Sequence, residues 1–257
     1  MPTITHRTGA VHYGRAGSGP GLVLVHGSGG DAASNYDHLV PGFSDIRTVI
    51  TPDYAGSGQS ADPGGELTLD LLADQVLATF EGPSDLVGFS LGAAVAATIA
   101  AEHPEMVRRL VLIAGWTHVD DSRLELGLRT WGRLATTDRE SFAAYGPLVG
   151  FSPGFVSRVG ARALMAAPPP PGTLRQIELD LRLDIRGLLS KITAPTLVVG
   201  NSQDHLIPVQ HHRALHAALP GSRYVEFDSG HVVLHEHPTD ITALIRKFIT
   251  SPDPAEA

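Results

Sequence analysis

Short runs rich in Val, Leu and Ile recur along the chain and take turns with longer segments of helical character. The runs are GLVLVHG (21–27), RTVITPDY (47–54), SDLVGF (84–89), RLVLIAG (109–115), PTLVVG (195–200) and RYVEF (223–227). None alternates cleanly between apolar and polar residues, which predicts strands covered on both faces, as in a parallel sheet. Helix candidates lie between them, at about 67–80, 91–103, 208–219 and 238–249. The last two carry proline in the first turn, where its missing N–H is harmless. Parallel neighbours cannot be joined by a tight turn and need a right-handed crossover, so the pattern predicts an α/β fold with helices on both faces of a mostly parallel central sheet.

The rhythm breaks between Thr117 and Leu189, where no core strand is evident. This stretch, 117–189, is expected to form a helical cap inserted into a core made of residues 1–116 and 190–257. Inside it, Pro168, Pro169, Pro170 and Pro171 forbid a helix, and Thr173 followed by Gln176 fits a capping box that opens the next one. IELDLRLDI (177–185) alternates like a strand, yet Ile177, Leu181 and Ile185 also share a helical face; a helix is the favoured reading.

Composition narrows the chemistry. The chain has 257 residues, a formal net charge of −8 and no basic patch, so nucleic acid is not an expected partner. It has no cysteine, which removes disulfides, thiolate nucleophiles and cysteine metal sites together. The opening MPTITHRTGAVHYG lacks an apolar signal core and no later stretch has the length of a membrane span, so a cytoplasmic location without a membrane partner is expected. Serine, histidine and carboxylates are left to do any chemistry.

Gly88-Phe89-Ser90-Leu91-Gly92 stands where an apolar strand runs into an alanine-rich helix. Alone the pattern is weak. In that setting it has a mechanical meaning: a serine on a strained strand-to-helix turn is lifted clear of the sheet, and residues two before and two after must lack side chains. With this motif, HGSGG (26–30), DYAGSGQS (53–60), GNSQDHLIP (200–208) and DSGHVVLHEHP (228–238), the chain resembles the α/β-hydrolase superfamily over nearly its whole length outside the insertion. One departure is visible, since members often carry Asp-x-Arg-Gly-x-Gly where this chain has Asp53-Tyr54-Ala55-Gly56-Ser57-Gly58.

The resemblance implies an α/β-hydrolase fold with an inserted helical cap, Ser90 as nucleophile, His231 as general base and Asp204 as the acid that orients the imidazole. It also implies an oxyanion hole built from the backbone N–H groups of Ser28 and Leu91, with His26 as a buttress of that loop. Asp120 and Asp121, after an earlier strand, compete with Asp204 for the acid's place. His212 and His216 have helical spacing but lack the glutamate of H-E-x-x-H, so no metal is expected; His235 and His237 are expected to begin the last helix in contact with solvent, and Asp228 to shape a turn. Phe89, Trp116, Trp131 and Val232 are the candidate substrate contacts, and an apolar pocket favours a small-molecule ester or thioester. The implied activity is a cofactor-free serine hydrolase working through an acyl-enzyme. A biosynthetic lyase or cyclase, a carbon–carbon bond hydrolase using the same residues, and a slow small-molecule receptor are the alternatives.

Overall fold

The computed structural model describes residues 2–165 and 170–251; Pro168 and Pro169 lie outside them. Eight strands form one sheet in the order β1-β2-β4-β3-β5-β6-β7-β8. They are β1 (Thr3–His6), β2 (Gly9–Ala16), β3 (Gly21–Val25), β4 (Thr48–Pro52), β5 (Ser84–Phe89), β6 (Val107–Ile113), β7 (Thr196–Asn201) and β8 (Arg223–Phe227). From β4 to β8 every neighbouring pair is parallel, whereas β1 and β2 pair with each other, and β2 with β4, antiparallel. Strands β4, β5 and β7 are buried at every residue. RYVEF departs from the sequence expectation: β8 is the sheet's edge, so its residues are exposed or half-buried and none is fully covered.

Alternate side chains of each central strand feed two cores. Val23, Val25, Leu86 and Leu112 pack on the face covered by α2 (Leu69–Leu77) and α3 (Leu91–Glu102); Leu22, Leu24, Val87 and Val111 pack on the opposite face. There they meet α1 (Ala32–Tyr36) and, near the C-terminus, Ile241, Ile245 and Phe248. Helix α3 is buried along residues 91–101, and its alanines let it lie close to the strands.

Between β6 and β7 the described residues are mostly helical: α4 (Ser122–Thr137), α5 (Arg139–Gly150), α6 (Pro153–Val159), α7 (Ala161–Leu164), α8 (Thr173–Arg182) and α9 (Arg186–Leu189). IELDLRLDI resolves both ways, since α8 ends at Arg182 and Asp184 then forms a bridge with His118. The anticipated capping box at Thr173 does not form. Gly172 is the N-cap, no side chain caps the helix, and Gln176 turns elsewhere. The chain is completed by α10 (Val209–Ala217), α11 (Val233–Glu236) and α12 (Pro238–Ile249). His235 lies within α11, and His237 is the N-cap residue of α12.

Candidate active site

Ser90, Asp204 and His231 sit on loops that leave the carboxyl ends of β5, β7 and β8, and the HGSGG loop leaves β3 beside them. Ligands bind at that end of a parallel sheet. Ser90 has φ 56° and ψ −122°, a conformation that L-residues seldom adopt and that costs about 1–3 kcal/mol. Its flanking glycines are sterically required. A Cβ at Gly88 would lie 2.1 Å from the Gly92 carbonyl oxygen, and one at Gly92 would lie 2.2 Å from that of Val25.

The three side chains form a connected series. His231 Nε2 is 3.0 Å from Ser90 Oγ, and His231 Nδ1 is 2.6 Å from Asp204 Oδ2. An ionised carboxylate only accepts, so Nδ1 carries the proton and Nε2 offers its lone pair to the serine hydroxyl. All three are buried, and the other oxygen of Asp204 accepts the N–H groups of Leu206 (2.9 Å) and Ile207 (2.7 Å), which fix the carboxylate's plane. Asp120 and Asp121 are engaged elsewhere. Asp120 faces His118 Nε2 at 2.9 Å; Asp121 caps α4 and meets His211 Nε2 at 3.1 Å. Backbone and side-chain donors hold the Asp121 carboxyl below its ordinary range, Arg123 N–H first among them.

His212 was not singled out by sequence as part of this site, yet it stands behind the acid. Its Nδ1 accepts the Asn201 N–H at 3.2 Å, which leaves the proton on Nε2, 3.5 Å from Asp204 Oδ2. Burial pushes its pKa down to about 4, so the ring is neutral and adds no second cation beside His231. Among the described residues no group of three or more His, Asp or Glu side chains could hold a metal ion.

The HGSGG loop is held from several sides. His26 is buried, donates from Nδ1 to the Gly27 carbonyl (2.8 Å) and stacks on Tyr54, and burial lowers its pKa. Gly27 N–H donates to Asn35 Oδ1 (3.3 Å) and Gly29 N–H to Gln176 Oε1 (2.9 Å). Between them the Ser28 N–H has no acceptor among the described residues. Leu91, as the first residue of α3, likewise has no partner one helical turn back. A Cβ at Gly27 would lie 2.9 Å from Ser90 Cβ, which places this loop directly against the serine.

A cavity of about 410 Å³ opens onto Ser90 and His231. Phe89, Trp131 and Val232 line it, joined by Val149, Phe151 and Leu206; Asp31, Ser34, Asn35 and His235 form a polar side. Trp116 is a correction to the sequence reading. It is 1% exposed and packs in the core under α3 and α4, away from the cavity lining. Asp228 accepts from Ser202 Oγ (3.0 Å) and Gln203 Nε2 (2.6 Å), bracing the turn before His231.

Comparison with known proteins agrees with this architecture. Residues 22–244 match the model of the "Alpha/beta hydrolase family". The chain is 39% identical over 254 residues to pyrrolizixenacetamide deacetylase of Xenorhabdus hominickii, covering 95% of this chain and 96% of that protein. It is 29% identical over 251 residues to a pimeloyl-[acyl-carrier protein] methyl ester esterase of Neisseria meningitidis serogroup C, covering 89% and 93%. Its fold superposes on the crystal structure of the enol-lactonase from Burkholderia xenovorans LB400 with a TM-score of 0.87, at 23% identity over 97% of this chain and 100% of that one.

Proposed function

The chain belongs to the alpha/beta hydrolase family and is an enzyme of that kind, and from this premise we propose that it cleaves a small, largely apolar carboxylic ester through an acyl-enzyme on Ser90. The observation that carries the reading is the continuous contact from Ser90 Oγ through His231 to Asp204, at 3.0 Å and 2.6 Å. A serine hydroxyl is scarcely ionised at neutral pH and attacks only if a base takes its proton as the bond forms. His231 Nε2 is that base, and Asp204 stabilises the imidazolium that results.

As Ser90 Oγ bonds to the ester carbon, the carbonyl oxygen becomes an oxyanion, received by the N–H groups of Ser28 and Leu91. The imidazolium then gives its proton to the departing alkoxide. Water attacks the acyl-serine with His231 again as base, and collapse releases the acid and restores Ser90 O–H. The apolar cavity wall of Phe89, Trp131 and Val232 suits a short hydrocarbon acyl group, and no metal or organic cofactor takes part in this scheme.

An acetamide is a second substrate type, favoured by one observation: the relative at 39% identity is named as a deacetylase of an acetamide. The chemistry is the same, with an amine leaving in place of an alcohol. The test is turnover of p-nitrophenyl acetate, butyrate and octanoate and of an aryl acetamide, with fluorophosphonate labelling of Ser90. Ser90→Ala is expected to abolish labelling and lower turnover by 10³-fold or more. Full activity of Ser90→Ala on the preferred substrate, with loss in His231→Ala, would replace the acyl-enzyme by base-driven elimination.

A further inference from the structure

Gln176 is wholly buried, belongs to helix α8 between β6 and β7, and turns both polar ends of its amide to two loops of the sheet. Its Oε1 accepts the Gly29 N–H at 2.9 Å. Its Nε2 donates to Ser57 Oγ at 2.9 Å and faces the Ala55 carbonyl oxygen at 3.5 Å. The approach is possible because Gly172 and Gly56 meet backbone to backbone: a Cβ at Gly172 would lie 2.2 Å from Gly56 Cα, and Gly172 N–H donates to Gly56 O at 3.1 Å. Residue 55 is alanine, so the loop that often carries arginine in this family presents only backbone and a small side chain to the amide.

From this geometry we infer that Gln176 is a positioning residue for the oxyanion hole, holding the Gly29 peptide so that the neighbouring Ser28 N–H stays aimed at the reacting carbonyl. The inference rests on the acyl-enzyme reading above. Gly29 has φ +72°, so its peptide is free to turn in ways other residues resist, and a loop with Gly27, Gly29 and Gly30 around Ser28 has little stiffness of its own. Asn35 fixes the Gly27 side of Ser28 and Gln176 fixes the other. With the Gln176 acceptor removed, the part-buried Gly29 N–H loses its partner, and the loop can turn to pair it elsewhere, which carries the Ser28 N–H off target. An oxyanion donor is worth about 10²–10³ in rate, so partial misalignment is expected to lower kcat by about 10- to 100-fold.

The experiment compares wild type with Gln176→Leu, which keeps volume and loses both hydrogen bonds, and Gln176→Glu. Each is assayed for kcat and KM on a p-nitrophenyl ester, and for inhibition by a trifluoromethyl ketone, whose hemiketal oxygen occupies the oxyanion hole, and by a simple aliphatic alcohol, which forms no tetrahedral adduct. Gln176→Leu is expected to lower kcat and trifluoromethyl ketone affinity in parallel, 10- to 100-fold, with KM and alcohol affinity within about threefold of wild type. In Gln176→Glu the ionised carboxylate still accepts the Gly29 N–H but cannot donate to the Ser57–Ala55 loop and sets a negative charge beside the oxyanion site, whereas the protonated carboxyl accepts and donates as the amide does, so its activity relative to wild type is expected to rise as pH falls from 8 to 5.5. Equal loss of affinity for both inhibitors, kcat within threefold of wild type, or a pH-independent Gln176→Glu defect would overturn the assignment. Retention of full activity by Ser90→Ala would instead remove the acyl-enzyme reading on which it stands.

Discussion

Asp180 lies one helical turn after Gln176 and is fully buried, and Ser28 is the polar neighbour that eases its burial. The relief is incomplete: Asp180 Oδ1 and Ser28 Oγ are both buried and share no well-formed hydrogen bond. Burial raises its pKa from 3.8 to about 7. At about 1.4 kcal/mol per pH unit, that difference amounts to at most about 4 kcal/mol of folding stability. The sign follows from which state holds the proton more tightly. Below about pH 4 both folded and unfolded chains are protonated at this position and no penalty exists. As pH rises toward 7 the unfolded chain ionises freely while the folded one resists, and above 7 the whole penalty applies. Asp180→Asn removes the ionisation and keeps the shape. Its melting temperature relative to wild type is therefore expected to be higher by only about 2–4 °C at pH 4.5, where about 1 kcal/mol of the penalty applies, and by up to about 8–16 °C at pH 8.5, at about 2–4 °C per kcal/mol for a chain of this size. Thermal denaturation followed by circular dichroism at the two pH values reads this directly, and groups common to both proteins cancel in the difference. A variant-minus-wild-type gap that stays constant with pH, or narrows on the alkaline side, would refute the claim that Asp180 is buried without a compensating charge.

Asp204→Asn is expected to reduce kcat by about 10³- to 10⁴-fold with KM little changed, because the amide can hold His231 in the wrong tautomer; steady-state ester kinetics check it. Asp121→Ala, by contrast, removes a helix cap and the contacts to Gln210 and His211, none of which touches Ser90 or His231, so about 1 kcal/mol or more of stability should be lost while kcat stays within a few fold. Gly92→Ala places a methyl group 2.2 Å from the Val25 carbonyl oxygen and should destabilise the protein by about 3 kcal/mol or more, seen as a lowered denaturation midpoint. Glu236→Ala strips the acceptor from Ser152 N–H (2.7 Å), Ser152 Oγ (2.5 Å) and Gly230 N–H (3.0 Å), so the loop carrying His231 should loosen and kcat fall at least tenfold, with fluorophosphonate labelling of Ser90 slowed in step.

What could be read in advance was whatever has a local cause. The central strands announce themselves because both their faces are covered, and the Gly88–Gly92 motif because its steric conditions fall within five residues. The antiparallel β1 and β2 gave no such signal: their residues are partly exposed, and their place beside β4 depends on pairings across the sheet. Trp116 was misplaced because a large aromatic near the active end of a sheet serves equally well as core. Gln176 and Asp180 were missed since their partners lie well over a hundred positions away in sequence. One clue was present: Thr173, Gln176, Ile177 and Asp180 share one stripe of α8, and all four are buried, so polar residues occupy a face that the helical period assigns to the interior.

That stripe bears on how the inserted helices relate to the chemistry. Helix α8 holds the HGSGG loop through Gln176, while the segment joining α5 to α6 holds the His231 loop, with Val232 N–H donating to the Gly150 carbonyl at 2.9 Å and Glu236 binding Ser152 and Gly230 together. A swing of the insertion as one body would have to break both attachments. Hydrogen bonds to a charged acceptor contribute about 1.5–3 kcal/mol each, so losing the Glu236 set alone would leave an opened form a minor population. The cavity lining includes Gly29, Gly150 and Val232, whose backbone groups take part in these same attachments. Trimming the chain near Gly150 or Gln176 is expected to loosen the HGSGG and His231 loops and lower kcat, whereas substitutions at Val149 and Phe151, which line the cavity and make neither attachment, are expected to shift the preferred ester length with kcat retained.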